Sequence, residues 1–251
     1  MKAMILCAGY GTRLGDLTRD TPKPLLRVGG NALVDYILAN LQKHGCSKVM
    51  INLHHHADQI RSGLEPWADR GIAITYSLEE TLLGTAGALK NVEAFFAQEE
   101  AFVVHYGDIV TDLDLTKMLQ FHRERNAAAT LLVHSRQKSN SALRFDENYC
   151  IQEFVERPPE AFWKTVDTTW VNSGVLILSP RVMDLIPASG PSDWPRDIFP
   201  QLIQSRSLYA YCLNAYRIAV DSPERLAQLE ADIQTQKFTS GISNPRIGAV
   251  D

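Results

Sequence analysis

Apolar runs of strand length alternate with amphipathic segments of helix length through the first 135 residues of this 251-residue chain. The predicted strands are 3–8, 48–53, 72–76, 101–105 and 128–133. The predicted helices are 32–44, 57–65, 84–92 and 115–125. Strands separated by helices pair in parallel, because each helix returns the chain to the same end of the sheet. The pattern therefore predicts an α/β fold, a three-layer, Rossmann-like, mainly parallel (mixed) sheet with helices on both faces.

The regular alternation of predicted strands and helices ends after about residue 135. The predicted strands are here 141–145, 151–155, 168–178 and 208–213. The predicted helices are 181–186, 197–205 and 223–235. The sequence shows no internal repeat, low-complexity tract or clear linker. We therefore expect a single domain over 1–251, made of one half at 1–135, a second half at 136–238 and a tail at 239–251.

The first predicted strand runs directly into a glycine turn that carries an arginine. Gly9 and Gly11 let the main chain turn tightly and approach a ligand without a Cβ in the way. Backbone N–H groups exposed in such a turn form a cradle for anions. Arg13 adds a planar fork for phosphate oxygens, and Lys23 lies on a stiff segment between two prolines. These features suit a bound triphosphate.

Two well-known phosphate loops do not fit this spacing. A Walker A loop requires a lysine that the turn lacks, and the dinucleotide fingerprint fails at its third glycine, where Leu14 stands. Instead, the run 8–14, together with Pro22-Lys23-Pro24-Leu25-Leu26, closely resembles the sugar-1-phosphate nucleotidyltransferases. The resemblance implies the nucleotide-diphospho-sugar transferase type of α/β fold, with the nucleotide bound by 1–135 and the sugar phosphate by 136–238.

The resemblance also implies which residues of the first half bind the nucleotide. Arg13 and Lys23 are the implied catalytic cations. The segment Leu83-Gly84-Thr85-Ala86-Gly87 resembles a family segment that lies along the base and ribose. The Leu-Gly-Thr-Ala-Gly sequence of this segment resembles the variant that is common among guanylyltransferases acting on mannose or heptose phosphates, and it therefore favours that class. The predicted nucleotide-binding residues are Leu6, Ala8, Gly9, Gly11, Thr12, Arg13, Lys23, Glu79, Gly84 and Thr85.

Two aspartates are candidate ligands of a hard cation. Asp108 follows a buried strand, at the edge of the sheet where ligands bind, although an aspartate there is also ordinary turn chemistry. Asp221 precedes the last predicted helix, where it could equally serve as a capping residue. The resemblance implies that the two together bind Mg²⁺. This chain reads Asp-Ser-Pro where the family often has Asp-x-Gly-Thr-Pro.

The second half carries two motifs that resemble the sugar pocket of the family. Glu156-Arg157-Pro158 stands where Glu-Lys-Pro is common, and Asn172-Ser173-Gly174 matches Asn-x-Gly. A carboxylate and an amide can recognise hydroxyl groups. Arginine in place of lysine keeps the charge but changes its reach and geometry. The predicted sugar-phosphate-binding residues are Gly107, Asn140, Glu156, Arg157 and Asn172.

Two other polar clusters are given structural interpretations. His54-His55-His56 suggests a metal site, but three consecutive residues at a strand end cannot all face one site. Asp112-Leu113-Asp114 resembles the Asp-x-Asp of metal-dependent glycosyltransferases, yet it stands where a helix is predicted to begin. We expect it to cap that helix.

Composition limits the class of protein. The net charge of −4 disfavours a general nucleic-acid-binding role, which requires a basic face. The four cysteines are scattered without a Cys-x-x-Cys pair, so neither a disulfide framework nor a zinc site is expected. The apolar stretch at the N-terminus is too short for a signal peptide or a membrane span. We therefore expect a cytoplasmic enzyme without membrane contact, and the resemblance allows a homodimer.

The expected reaction joins a nucleoside triphosphate to a sugar 1-phosphate in the presence of Mg²⁺, with GTP and a mannose- or heptose-type phosphate favoured. Uridylyl or thymidylyl transfer to glucose or N-acetylmuramate phosphate remains open. A glycosyltransferase is a further alternative, which Lys23 between its two prolines disfavours. A non-catalytic sensor of nucleotide sugars is another, although such a domain tends to lose the cations and carboxylates that this chain retains.

Overall fold

A computed structural model of the protein describes residues 1–166, 169–239 and 242. Its strands are β1 Lys2–Leu6, β2 Arg27–Val28, β3 Asn31–Ala32, β4 Lys48–Leu53, β5 Ala73–Leu78, β6 Phe102–Tyr106, β7 Ile109–Thr111, β8 Ala129–Arg136, β9 Ser141–Phe145, β10 Ile151–Glu156, β11 Thr169–Leu178, β12 Leu208–Cys212 and β13 Arg217–Ala219. Its α-helices are α1 Leu33–Lys43, α2 Ala57–Leu64, α3 Gly84–Lys90, α4 Glu93–Phe96, α5 Leu115–Glu124, α6 Glu160–Trp163, α7 Phe199–Gln204 and α8 Pro223–Gln234.

A nine-stranded sheet forms the centre of the molecule. Its main path runs β10-β9-β11-β6-β1-β4-β5, and β8 pairs with both β11 and β12. Strands β6, β1, β4 and β5 are parallel, whereas β11 is antiparallel to both β6 and β8. The carboxyl ends of β1, β4 and β6 therefore meet at one edge, which is where ligands bind in sheets of this kind.

Helices cover both faces of the sheet, because the strands are apolar on both sides. In β1, Ala3 and Ile5 pack into one core with α1, α2 and α5. Met4, between them, packs into the opposite core with α3, α4 and α7. Alternate side chains of a strand point to opposite faces, so a continuous apolar run serves two cores at once. The predicted three-layer, mixed α/β architecture is confirmed.

Local sequence signals account for the ends of several helices. The side chain of Asp114 accepts a hydrogen bond from the Lys117 N–H at 3.1 Å, so it caps α5 as expected. Ser222 caps α8 in the same way, which leaves the side chain of Asp221 available to the site. Gly45 follows α1 with φ +79°, a conformation that favours glycine. None of the described helices is both long and apolar enough to cross a membrane.

Some predicted elements differ from the observed ones. The segment predicted as a helix at 181–186 is a 3-10 helix, Pro180–Leu185. The helix predicted at 197–205 begins as a π-helical turn, Trp194–Ile198, and continues as α7. Residue 168, the predicted start of β11, and residues 240–241 and 243–251 of the predicted tail lie outside the described residues.

Candidate active site

Two adjoining cavities open at the edge where the parallel strands end. The first cavity has a volume of about 410 Å³ and the second about 840 Å³. Arg13, Thr85 and Asp108 are among the residues that line both of them. The first cavity is lined by all ten predicted nucleotide-binding residues, namely Leu6, Ala8, Gly9, Gly11, Thr12, Arg13, Lys23, Glu79, Gly84 and Thr85. Their role as nucleotide ligands stays a prediction.

The glycine turn after β1 is held in shape by its own hydrogen bonds. The Gly11 carbonyl accepts bonds from the Leu14 N–H at 3.0 Å and from the Thr18 hydroxyl at 3.2 Å. Gly11 has φ +69°, and a Cβ there would lie 3.3 Å from side-chain atoms of both Lys23 and Thr18. The turn and the lysine segment are therefore packed together, and this packing requires glycine at position 11.

The two predicted cations are paired with the two predicted metal ligands. Lys23 Nζ donates to Asp108 Oδ2 at 2.7 Å, and the two side chains are 13% and 23% exposed. Arg13 Nη1 donates to Asp221 Oδ2 at 3.2 Å on the more exposed side of the site. Each pair balances its own charge.

Backbone contacts fix the position of Asp108. The Gly107 N–H donates to the Leu6 carbonyl at 3.0 Å, and a Cβ at position 107 would lie only 2.6 Å from that oxygen. On the other side, the Val220 N–H donates to the Asp108 carbonyl at 2.8 Å, beside the pairing of β7 with β13. Gly107, which was predicted to bind the sugar phosphate, lines the first cavity instead.

A buried hydrogen-bonded chain closes the far end of the first cavity. The Cys7 N–H donates to Asn52 Oδ1, and Asn52 Nδ2 donates to Glu79 Oε1, both at 2.8 Å. Glu79 Oε2 accepts from the Leu83 N–H at 2.9 Å, and Glu79 is only 4% exposed. Each carboxylate oxygen retains a second lone pair, so Glu79 can accept hydrogen bonds from a ligand.

The first member of the histidine triplet positions a tyrosine at the mouth of the first cavity. His54 Nδ1 lies 2.7 Å from the Glu79 carbonyl oxygen, and His54 Nε2 lies 2.9 Å from the Tyr10 hydroxyl. Because a carbonyl can only accept, Nδ1 carries the hydrogen and Nε2 accepts from the tyrosine. Within the described part of the chain, no group of three or more His, Cys, Asp or Glu side chains is arranged to hold a metal ion.

Helix α3 is joined to the second half of the chain through its first turn. The Ala86 and Gly87 N–H groups both donate to the Ser192 carbonyl, at 2.9 and 3.0 Å. Asp193 Oδ1 accepts from the N–H and the hydroxyl of Thr85, at 2.9 and 3.0 Å. We call Ser192 and Asp193, with their partners on α3, the α3 clamp. It fixes Gly84 and Thr85 relative to both cavities.

The second cavity contains four of the five residues predicted to bind the sugar phosphate: Asn140, Glu156, Arg157 and Asn172. Asn172 Oδ1 accepts from the Gly174 N–H at 3.0 Å, and its Nδ2 finds no hydrogen-bond partner among the described residues. Burial raises the pKa of Glu156 above its usual value. The Arg157 N–H donates to the Asn140 carbonyl at 2.8 Å, while its side chain is 85% exposed.

Several residues with ionisable side chains line the second cavity but were not predicted. They are His134, Arg136, Asp193, Arg196 and Arg217. Burial, reinforced by the charges of Arg217 and Arg136, lowers the pKa of His134 to about 4, so this imidazole is neutral at neutral pH. The sequence contains no local signal for Arg217, because its strand β13 has only three residues, too few for a period to be recognised.

The cysteine nearest the site is not a nucleophile. Cys7 is buried, and burial, reinforced by the negative charge of Asp108, raises the pKa of its thiol to about 12. A thiol with so high a pKa holds almost no thiolate at neutral pH. The chemistry of the site therefore depends on its cations, carboxylates and exposed backbone amides.

Known proteins resemble this chain over most of its length. The family model described as nucleotidyl transferase matches residues 2–217. UTP–glucose-1-phosphate uridylyltransferase of Synechocystis sp. is 35% identical over 230 residues, which cover 85% of this chain and 58% of that protein. Mannose-1-phosphate guanylyltransferase catalytic subunit beta of Drosophila melanogaster is 31% identical over 227 residues, which cover 89% of this chain and 60% of that protein.

The fold is also found among solved structures. A putative glucose-1-phosphate thymidylyltransferase from Bacillus anthracis superposes with a TM-score of 0.82 at 22% identity, covering 96% of this chain and 98% of that one. At this identity the likeness concerns the fold alone. The present chain spans about 60% of the length of the curated relatives described above. The family match and the sequence relatives together show that this chain belongs to the nucleotidyl transferase family.

Proposed function

We propose that the protein transfers a nucleotidyl group from a nucleoside triphosphate to a sugar 1-phosphate, releasing pyrophosphate. One observation carries the proposal: Lys23, Arg13, Asp108 and Asp221 converge on two adjoining cavities at the end of the parallel strands. The first cavity has the glycine turn and cations that a triphosphate requires. The second offers amide, carboxylate and guanidinium groups suited to a sugar phosphate.

The proposed chemistry needs no general base from the protein. The acceptor phosphate is already an anion, and its oxygen attacks the α-phosphorus in line with the departing pyrophosphate. Catalysis then consists of holding two anions close together and offsetting their charge. Lys23 would hold the α-phosphate beside the acceptor phosphate, and Arg13 would offset charge on the leaving pyrophosphate. Both cations would exchange their present aspartate partners for phosphate oxygens.

The donor set fits a magnesium ion. Asp108 and Asp221 are carboxylates, both line the second cavity, and neither is fully buried. Hard oxygen ligands with room for water and phosphate oxygens are what Mg²⁺ prefers. When bound, Mg²⁺ would neutralise charge on the phosphate oxygens of the triphosphate.

Guanine is the favoured base in this proposal. The guanine edge presents an N–H and an amino group as neighbouring donors, whereas uracil and thymine present one N–H between two carbonyls. Glu79, a buried carboxylate in the first cavity, can accept from such a pair of donors. Several relatives about 30% identical to this chain are mannose-1-phosphate guanylyltransferases. Uridylyl transfer is the second candidate, because the Synechocystis relative is a UTP-dependent enzyme.

Pyrophosphate release with Mg²⁺ tests the reaction and the substrates together. We would assay four nucleoside triphosphates against 1-phosphates of mannose, heptose, glucose and N-acetylmuramate. Release in one combination, matched by formation of the nucleotide sugar, is the expected result. A glycosyltransferase would instead consume a nucleotide sugar without releasing pyrophosphate. A folded protein that binds a triphosphate yet releases no pyrophosphate in any combination would contradict the proposal and favour a non-catalytic sensor.

The Glu79→Gln variant tests the choice of base. Glutamine keeps the size of the side chain but replaces one acceptor oxygen with a donor. We expect the KM for GTP to rise at least about tenfold, the effect of losing one charge-assisted hydrogen bond. The KM for the sugar phosphate should change little. Glu80→Gln, next in sequence and facing solvent, is the matched control. An unchanged KM for GTP in Glu79→Gln would contradict the assignment of Glu79 to the base.

A further inference from the structure

Arg217 reaches the second cavity from a short strand whose backbone is fixed by its pairing with β7. It is the first residue of β13, which pairs with β7 directly after Asp108. The preceding residue, Tyr216, is bonded through its carbonyl to the Thr111 hydroxyl at 2.6 Å and through its N–H to Asp112 at 2.8 Å. The backbone that carries Arg217 is therefore fixed beside the predicted metal ligands.

The guanidinium has one protein partner among the described residues. Its Nε and Nη2 both donate to the carbonyl of Ser173, at 3.3 Å each. That carbonyl belongs to an irregular stretch of β11, where the pairing with β8 shifts between Asn172 and Leu176. Within the described part of the chain no carboxylate forms an ion pair with Arg217. The irregularity in β11 thus orients the guanidinium and leaves its charge unpaired.

The surroundings make this unpaired charge costly. Burial lowers the pKa of Arg217 to about 10, although the negative charges of Asp108 and Asp221 act to raise it. Arg136 opposes the charge as well, and the neighbouring His134 is neutral. A half-buried cation without a counter-charge destabilises the free protein. A bound anion would supply the missing counter-charge, and the cavity has room for it.

We propose that Arg217 binds the phosphate group of the sugar phosphate. The inference rests on the proposed function and names a residue that the sequence motifs do not. Its position beside Asp108 and Asp221 places a guanidinium fork where the acceptor phosphate must approach the α-phosphate. The orientation by Ser173 leaves Nη1 to complete a phosphate contact of the kind that arginine makes.

This assignment distinguishes Arg217 from Arg157. Arg157 stands in the motif that resembles Glu-Lys-Pro, but its side chain is 85% exposed and lies beside Glu156, with 3.8 Å between the nearest charged atoms. A solvated guanidinium next to a carboxylate contributes less to anion binding than a partly buried, unpaired one. Arg217 is therefore the principal phosphate-binding cation of the second cavity, and Arg157 is secondary.

Equilibrium binding tests the proposal without requiring turnover. We would titrate mannose 1-phosphate, glucose 1-phosphate and inorganic phosphate by calorimetry, alone and with a non-hydrolysable analogue of the triphosphate that the protein binds. Arg217→Gln should weaken sugar-phosphate binding at least about tenfold. Arg217→Lys should restore part of it. Arg157→Gln should have a smaller effect than Arg217→Gln. Arg70→Gln is the matched control, because Arg70 is exposed in the turn before β5, lines neither cavity and carries the same charge.

The outcomes separate this inference from the proposed function. Unchanged triphosphate affinity in Arg217→Gln shows that the variant is folded, so selective loss of sugar-phosphate binding supports the proposal. Wild-type affinity in Arg217→Gln, an equal loss in Arg70→Gln, or no binding of any of the three probes by the wild-type protein would overturn it. Absence of pyrophosphate release by the wild-type protein would contradict the proposed function while leaving the binding comparison valid.

Discussion

At the scale of single residues, the site depends on a lysine whose surroundings leave it little freedom. Lys23 begins a 3-10 turn between two prolines, and its Nζ lies 2.7 Å from Asp108 Oδ2 with the lysine side chain 13% exposed. Proline on either side restricts the backbone, so the ammonium keeps its position when its partner changes. A preorganised cation of this kind stabilises charge without reorganisation during the reaction.

We expect Lys23→Ala to reduce turnover at least about a hundredfold, because it removes one preorganised electrostatic group. The measurement is kcat for pyrophosphate release with the substrates identified in the combination assay. Lys117→Ala is the control, since Lys117 is 73% exposed on α5, away from both cavities. Near-normal turnover in a folded Lys23→Ala protein would remove Lys23 from the proposed mechanism.

Motif residues could be predicted because their spacing is local. Arg13 and Lys23 follow the same glycine turn, and Asp108 directly follows a strand, so each can be located from its own neighbours in the sequence. Arg217 could not be located in this way. Its position depends on the pairing of β13 with β7 and on the irregular stretch of β11, both of which arise between distant segments.

At the scale of elements, the α3 clamp joins the two cavities through both backbone and side-chain contacts. Gly84 has φ +73°, and a Cβ there would lie 2.5 Å from the Ser192 carbonyl oxygen. The close approach allows the amides of the first turn of α3 to reach that same oxygen. Position 84 thus requires glycine for its conformation and for the space around it.

We expect Gly84→Ala to destabilise the protein more than a glycine replacement that lacks this contact. Gly71 has φ +82° but open space around it, so Gly71→Ala should cost about 1–2 kcal/mol for the left-handed conformation alone. Gly84→Ala should cost at least about 1 kcal/mol more, because the clamp must shift. Chemical denaturation of both variants measures the difference. Equal losses of unfolding free energy in the two variants would show that the α3 clamp accommodates the added methyl group without loss of stability.

The longer elements were predictable, whereas the shortest were not. The predicted strand 48–53 coincides with β4, because six residues of apolar pattern determine it locally. Strands β7 and β13 have three residues each, too few for a period to be recognised. They are nevertheless the elements that bring Asp221 and Arg217 to Asp108. The part of the site that sequence reasoning missed is therefore the part built on tertiary pairing.

At the scale of the whole molecule, one sheet crosses the boundary between the two sequence halves. Strand β11, from the second half, pairs with β6 of the first half over four residues and with β8 on its other side. The core on one face of the sheet likewise combines Met4 and Val104 with Leu176 and Phe199. Neither half can keep its apolar surface buried without the other.

We therefore expect the two halves to unfold together. Differential scanning calorimetry should show a single transition whose calorimetric and van't Hoff enthalpies agree, as for one cooperative unit. A saturating triphosphate should raise the midpoint of the whole transition, because it binds only the folded protein. Two resolved transitions, with only the first sensitive to the triphosphate, would show instead that the halves are independent domains.

Acid should destabilise the whole molecule through histidines that are buried in the neutral form. Burial lowers the pKa of His105 and His122 to about 4, from an ordinary value of 6.5. His105 Nε2 is buried without a partner among the described residues, so a proton there would leave an unpaired buried charge. His122 is held between Thr130 and Ser179, at 2.9 and 3.0 Å.

Because both folded-state pKa values are depressed, the unfolded chain binds protons more readily than the folded protein as the pH falls below 6.5. The free energy of unfolding should fall by about 2 kcal/mol per histidine between pH 7 and pH 5, and should level off below pH 4 as far as these groups are concerned.

His122→Gln removes one titrating group, so it should make this dependence shallower whatever it does to stability at pH 7. His55→Gln, at an exposed position, should leave the slope unchanged. Denaturant titrations at several pH values measure the slope. A His122→Gln slope equal to that of the wild-type protein would mean that His122 does not contribute to acid sensitivity, and that carboxylate protonation accounts for the loss.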